Sequence, residues 1–256
     1  MEGIEQILRN IPGLENLTSY ELLHSGAVNQ TWKIEAGGNL YVLRSGNSIA
    51  KDIGQDVVGE LEVMQVASQA NLGPQPVWCD ESSRLLLSRY LPGKSLTKDV
   101  LHETAYSEVL ELLSRLHASR PAVRVVDYAG YIRRYAAAVN SPDGEAMEAE
   151  ALDLARSWCG DISRYVLCHT DPTASNFIAG PDTCLRLIDW EYGGLGEPCL
   201  DLAVLIVEYG FTQDQVIKGS CVVDTIERLA GCVRLYRLMN ALWSMMCCNR
   251  SRHAGQ

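Results

Sequence analysis

The sequence has no cluster of lysine or arginine. Its charge runs the other way: 22 Lys and Arg stand against 32 Asp and Glu, a formal net charge of -10. A nucleic-acid binder needs a basic face for the phosphates, so that class is set aside. An acidic surface keeps a protein soluble and can attract a cationic small molecule. Long apolar runs are missing as well. The richest are Ala203–Val207, which is short, and Leu238–Cys248, which Asn240 and Ser244 interrupt. A membrane span needs about 20 apolar residues, so none is expected. The opening MEGIEQILRN has no basic segment followed by an apolar core. No secretory signal is expected, and the cytoplasm is the expected location. The nine cysteines are odd in number, form no CxxC pair and lack metal-site spacing. They fit reduced thiols acting as small apolar residues, not a disulfide framework or a zinc site.

What is there is ordinary for a globular protein: 256 residues, 47% hydrophobic and 21% charged. That length supports one large domain or two smaller ones. Tyr20–Leu23, Thr31–Glu35 and Leu40–Arg44 have strand character, with a hairpin turn at Gly37-Gly38-Asn39. A helix is expected from about Asp56 to Asn71, stopped by Leu72-Gly73-Pro74. Val77–Cys79 and Arg84–Tyr90 then have strand character, and Pro92-Gly93 breaks the chain. Beyond it the pattern turns helical: Tyr106–His117, Tyr128–Val139, a loop at Ser141–Gly144, then Glu145–Trp158. Short apolar strands follow at Val166–Cys168 and Leu185–Ile188, with an irregular polar segment between them. Leu200–Tyr209 and two further helices complete the chain. The expected division is a sheet-rich part over 1–91 and a mainly helical part over 92–256.

The stretch from His169 to Asp201 carries the chemistry. It begins HTDPTASN directly after a strand and continues to LIDWEYGGLGEPCLDLA, with Asp189 at the end of the next strand. Asp171, Asn176 and Asp189 are thereby expected at adjacent strand ends. Phosphoryl transfer needs such a set. A carboxylate orients the attacking hydroxyl and accepts its proton late, and hard oxygen ligands hold Mg²⁺ against the phosphates. Asn176 and Asp189 suit the metal, which leaves Asp171 as the base.

HxDxxxxN followed by IDWE and DLA resembles the choline kinase and aminoglycoside phosphotransferase superfamily, a relative of the protein kinases, whose own motifs are HRDxxxxN and DFG. The likeness extends over roughly residues 20–250. It implies an α+β, protein-kinase-like two-lobe fold with an antiparallel N-terminal sheet and a mainly helical C-terminal lobe. It also implies an ATP- and Mg²⁺-dependent kinase acting on a small-molecule hydroxyl, with no nucleic-acid or membrane partner. Ser25–Thr31 is similar to the family's nucleotide loop, which draws in Ser25 and Asn29, although it is not GxGxxG. Arg44 stands where the strand's phosphate-binding cation is expected, and a guanidinium can contact two phosphate oxygens at once. Its helix partner is Glu60, with Glu62 as the competitor. Backbone groups around Ser88–Tyr90 would meet the adenine. His169 would support the catalytic loop, and Asp201 would accept that loop's backbone N–H groups.

The resemblance also bears on the acceptor. IDWEY is common among choline- and thiamine-kinase-like members. The stretch from Arg234 to Trp243 is similar to the aromatic C-terminal helices that shape the choline pocket. A quaternary ammonium has no donors and is best held by aromatic faces near carboxylates. Tyr192, Trp243 and Tyr236 are candidates for such a cage, with Glu191 supplying charge. Choline is the favoured acceptor, thiamine the runner-up and an aminoglycoside third. A nucleotide-binding regulator without catalysis is the alternative of another class. The chain is short for this superfamily, and trimmed substrate-lobe elements are expected around Ser141–Glu150.

Overall fold

The structure is a computed structural model and describes residues 3–253 apart from Ala27, Ile53 and Thr104. It divides into two units, Met1–Pro92 and Gly93–Gln256. The first is built on a five-stranded antiparallel sheet. Its strands are β1 (Leu17–Ser25), β2 (Asn29–Ala36), β3 (Asn39–Gly46), β4 (Pro76–Asp80) and β5 (Leu85–Arg89), in the order β1-β2-β3-β5-β4. Gly37 and Gly38 both have positive φ and close the β2–β3 hairpin, with Ala36 opposite Asn39. A two-residue loop with left-handed twist at both positions matches the twist of the flanking strands.

Side chains alternate across a sheet, and this decides where the site residues fall. Ile34, Tyr41, Leu43, Leu85 and Leu87 bury one face together with Leu8 of helix α1 (Ile4–Arg9) and with Ile11 and Leu14. Arg44, next to Leu43, therefore faces the other way. Helix α2 (Ser48–Asp52) follows β3, and α3 (Val57–Gln69) packs against β4 and β5. Asp56 caps α3 by accepting the Gly59 N–H at 2.9 Å, a bond typically worth ~1 kcal/mol.

The second unit is mainly helical. It contains β6 (Lys94–Ser95), α4 (Lys98–Glu103), α5 (Tyr106–His117), α6 (Tyr128–Val139), α7 (Pro142–Trp158), β7 (Val166–Cys168), β8 (Phe177–Ala179), β9 (Leu185–Leu187), β10 (Gly194–Gly196), α8 (Pro198–Tyr209), α9 (Gln213–Gly219) and α10 (Ile226–His253). Helix α8 is its spine: every residue from Pro198 to Leu205 is buried, and α10 and β7 pack on it. Four of the cysteines, Cys159, Cys168, Cys199 and Cys232, are buried in this unit.

Two expectations need correction. Ser141–Gly144 is the start of α7 and not a loop: the Ser141 hydroxyl accepts the Gly144 N–H and Pro142 takes the first turn. Proline is tolerated there because its missing N–H has no helical partner to lose. The segment between β7 and β9 is not wholly irregular, because the apolar trio Phe177–Ala179 forms β8, paired antiparallel with β9. Three-residue strands such as β8 and β10 are too short to show a period.

Gly93 has φ +152°, and a Cβ there would lie 2.4 Å from the Ala179 carbonyl oxygen. Backbone must move to admit it. Gly93→Ala is expected to destabilise the protein by roughly 1–3 kcal/mol in chemical denaturation; an unchanged midpoint would show that the contact relaxes freely.

Candidate active site

Asp201 lies in the first turn of α8 and is fully buried. A carboxylate in that position must be satisfied by donors. Its Oδ2 accepts the His169 backbone N–H at 3.0 Å and faces His117 Nε2 at 3.0 Å, and its Oδ1 accepts the Thr170 N–H at 2.6 Å. Cys168 Sγ lies within 4.8 Å of the His117 and Asp201 ligand atoms. Both Asp201 oxygens are nevertheless already taken up by these nitrogen contacts. The loop after β7 thus hangs from one buried side chain.

Two successive N–H groups can converge on one anion only if the backbone turns sharply between them, as in anion-binding nests. Thr170 provides that turn with φ +65°. A β-branched residue in the left-handed region is an outlier that costs ~1–2 kcal/mol. The chain then runs through Asp171 into a single 3₁₀ turn at Ala174–Asn176. The Ala174 N–H donates to the Tyr209 hydroxyl of α8, which braces that turn.

Asn176 donates through Nδ2 to Asp171 twice, at 2.9 Å to its backbone carbonyl and at 3.1 Å to its Oδ2. With its nitrogen committed to the loop, the amide oxygen is the atom that could serve a metal ion. The end of β9 is fastened to the same loop from both sides. The Ile188 N–H donates to the Asn176 carbonyl at 2.9 Å, and His169 Nε2 bonds the Ile188 carbonyl at 2.9 Å. Asp189 follows at φ +64°, a region that Asp tolerates better than most residues. Asp171, Asn176 and Asp189 are therefore brought together on tied loop ends. The set is all hard oxygen and fits Mg²⁺ by its chemistry. Trp190 is fully buried, donates to the Leu187 carbonyl at 3.0 Å and packs edge-on against His169 with ring centroids 4.7 Å apart.

The loop after Asp189 is held in place by residues that the sequence did not single out. Arg124, ahead of α6, donates to the carbonyls of Trp190, Glu191 and Gly193 at 3.2, 2.7 and 2.8 Å. The Thr170 hydroxyl donates to the Tyr192 carbonyl at 2.9 Å. The Tyr192 ring meets Tyr131 of α6 edge-on at 5.4 Å, and its hydroxyl bonds Tyr135, which stacks on Tyr131. Among the described residues the ring packed on Tyr192 is this one and not Trp243, which is half-buried on α10. Tyr236 and Asn240, one turn apart on α10, both donate to Glu208 Oε1, at 3.1 and 2.9 Å. The signal that could have found Tyr131 and Tyr135 is their spacing, which puts both tyrosines on one face of α6.

In the first unit, Arg44 and Glu60 form a buried ion pair, while Glu62 is exposed. The discriminating signal is phase: Glu60 lies on the stripe of Val63, Met64 and Ala67, and Glu62 does not. In the expected nucleotide loop, Ser25 is exposed and pairs with Gln30, and the Gly26 N–H donates to the Asn29 carbonyl at 2.9 Å. The Asn29 side chain accepts from Gln55 at 3.3 Å. Ala27, within that loop, lies outside the described residues. Ser88 is buried in the sheet and Tyr90 is half-buried. The N–H groups of Arg89 and Tyr90 donate to the Gln75 and Leu40 carbonyls. Both N–H groups are therefore engaged by backbone of the same unit.

Desolvation, then the charges of Asp189 and Glu191, hold the Asp171 carboxyl well above the usual carboxylate range. Burial pushes His169 down, which keeps its imidazole neutral. A carboxyl raised on folding stabilises the fold only while protonated, and that stabilisation is lost as pH rises through the raised value. At neutral pH, well above the ordinary carboxylate range, Asp171 therefore weakens the metal-free fold. Asp171→Asn in EDTA should melt about 2–4 °C higher than wild type at pH 7, and the gap should shrink toward pH 5. Equal melts across that range would contradict the account.

The model of the Phosphotransferase enzyme family matches residues 19–228. Protein LicA of Haemophilus influenzae is 26% identical over 194 residues, which cover 72% of this chain and 56% of that protein. The chain thus spans little more than half the length of that relative. The crystal structure of choline kinase LicA from Streptococcus pneumoniae has a TM-score of 0.79 at 20% identity, over 99% of this chain and 92% of that one. A structure of LicA in complex with AMP has a TM-score of 0.78 at 19% identity, over 96% and 90%. At such identities the structural likeness is one of fold, the α+β arrangement of an antiparallel sheet followed by a helical part. No described helix is long and apolar enough to cross a membrane. The family match runs from the first strand into the last helix, and the chain belongs to the Phosphotransferase enzyme family.

Proposed function

We propose that this protein is an ATP- and Mg²⁺-dependent kinase that phosphorylates the hydroxyl of a small cationic molecule, choline first. The observation that carries the acceptor is a group of carboxylates beside tyrosines, with the Asp171 carboxyl desolvated among them. Asp171 feels the charges of both Asp189 and Glu191. Tyr192, whose hydroxyl feels the charges of Glu191 and Asp171, is backed by Tyr131 and Tyr135. Such a surface repels anions, and its ring faces suit a cation without donors. The relatives support both substrates, since one is a choline kinase and one is bound to AMP.

In this reading Asp171 orients the acceptor hydroxyl and takes its proton late in the transfer. Asn176 and Asp189 hold Mg²⁺, which supplies charge neutralisation at the phosphates. Arg44 presents its guanidinium to phosphate oxygens and is kept in place by Glu60. Ser25 and Asn29 belong to the loop that covers the nucleotide. His169, neutral and bonded to Ile188, moves no proton. It supports the loop together with Asp201. Glu191 and Tyr192 face the acceptor. Trp243 is a weaker candidate for that role than Tyr131 or Tyr135, because it is not the ring packed on Tyr192.

The test is a panel of hydroxyl acceptors with ATP and Mg²⁺, including choline, thiamine and an aminoglycoside. Phosphocholine is the expected product. Robust turnover of another acceptor without phosphocholine removes choline. Asp171→Ala should keep ATP binding and lose turnover by about 10²–10⁴-fold. An ATP-driven thermal shift with no turnover of any acceptor would favour a nucleotide-binding regulator. Tyr192→Leu should raise KM for choline about tenfold and leave KM for ATP unchanged, as loss of a cation–π face predicts.

A further inference from the structure

Four consecutive carbonyls, those of Trp190, Glu191, Tyr192 and Gly193, all accept side-chain hydrogen bonds. Three of the four come to Arg124, from the segment ahead of α6. The fourth, at Tyr192, comes from the hydroxyl of Thr170, the residue next to Asp171. Arg124 thus holds this loop to the body of the unit, and Thr170 ties it to the loop that bears Asp171. Thr170 does this from φ +65°. Glycine would reach that conformation without strain, and its N–H could serve Asp201 equally well. The backbone geometry alone therefore gives no reason for a β-branched side chain here. The hydroxyl gives one.

We infer that Thr170 is a positioning residue, whose side chain sets the distance between the catalytic carboxylate and the acceptor-binding loop at Glu191–Tyr192. The inference rests on the proposed phosphotransfer reading for its kinetic consequence. Its structural consequence stands alone: freeing the Tyr192 carbonyl loosens the loop while relieving strain at residue 170. A residue that mattered only for stability would show the two effects moving together.

The experiment compares wild type with Thr170→Gly, Thr170→Val and Thr170→Ser. Wild type is first run against the acceptor panel, and the best acceptor serves all variants. Thr170→Gly should melt at or above the wild-type temperature. It should also lose about tenfold in kcat and raise KM for the acceptor several-fold, with KM for ATP within about twofold. Thr170→Val keeps the branching and loses the hydroxyl, and should show the same kinetic split with no gain in stability. Thr170→Ser restores the donor and should keep at least about half of kcat. Amide hydrogen exchange of residues 190–194 in Thr170→Gly should quicken at least several-fold, and this readout needs no acceptor. Wild-type kinetics in Thr170→Gly, a serine variant as impaired as the valine one, or unchanged exchange at residues 190–194 each overturns the inference. A wild type that turns over no acceptor removes the phosphotransfer reading. The exchange measurement then still decides whether Thr170 ties the two loops.

Discussion

The buried carboxylate of Asp201 is the constraint on which the rest of the site depends. It has no solvent to satisfy it, so it must collect donors, and it collects them from the loop after β7 and from His117 of α5. Removing one partner of such a group leaves the others desolvated and unpaired, which is far costlier than the net worth of any one bond. That asymmetry holds the backbone of His169 and Thr170 in one arrangement. From it follow the direction in which Asp171 leaves the loop, the bond from His169 to Ile188 and the placement of Asp189.

Stored strain is part of the same design. Thr170 and Asp189 both sit in the left-handed region, on the two loops that meet at the candidate metal-binding set. Each is clamped by neighbouring bonds: Thr170 through its own N–H and hydroxyl, Asp189 through the residue before it. Together with the raised Asp171 carboxyl, this makes the site a region whose local energetics oppose folding. The apolar α8 supplies the offset, being buried from Pro198 to Leu205.

Much of the fold was legible because its elements are long enough to show a period. The spans of α5 and α6 agree with the helices expected from apolar spacing alone, Tyr106–His117 and Tyr128–Val139. The β2–β3 hairpin announced itself through two adjacent glycines. The order of the HTDPTASN and IDWE motifs was enough to bring Asp171, Asn176 and Asp189 to neighbouring loop ends. What escaped was of three kinds. Of the four three-residue strands, β7 and β9 were expected as short apolar runs and β8 and β10 were not, because only pairing with a neighbour makes a strand of so short a segment. Arg124 escaped because its partners are backbone carbonyls, which place no demand on the identity of the residues they belong to. Tyr131 and Tyr135 were read as part of a helix and not as part of a site, because only tertiary packing puts Tyr192 against them.

The support of Asp171 and the rings beside Tyr192 come from different parts of the chain. The first depends on α5, β7 and α8. The second depends on α6 and on the carbonyls that Arg124 holds, and backbone bonds survive most changes of side chain. Substitutions on that face of α6 can therefore change what surrounds the Tyr192 ring without touching the bonds that fix the His169–Thr170 backbone on Asp201.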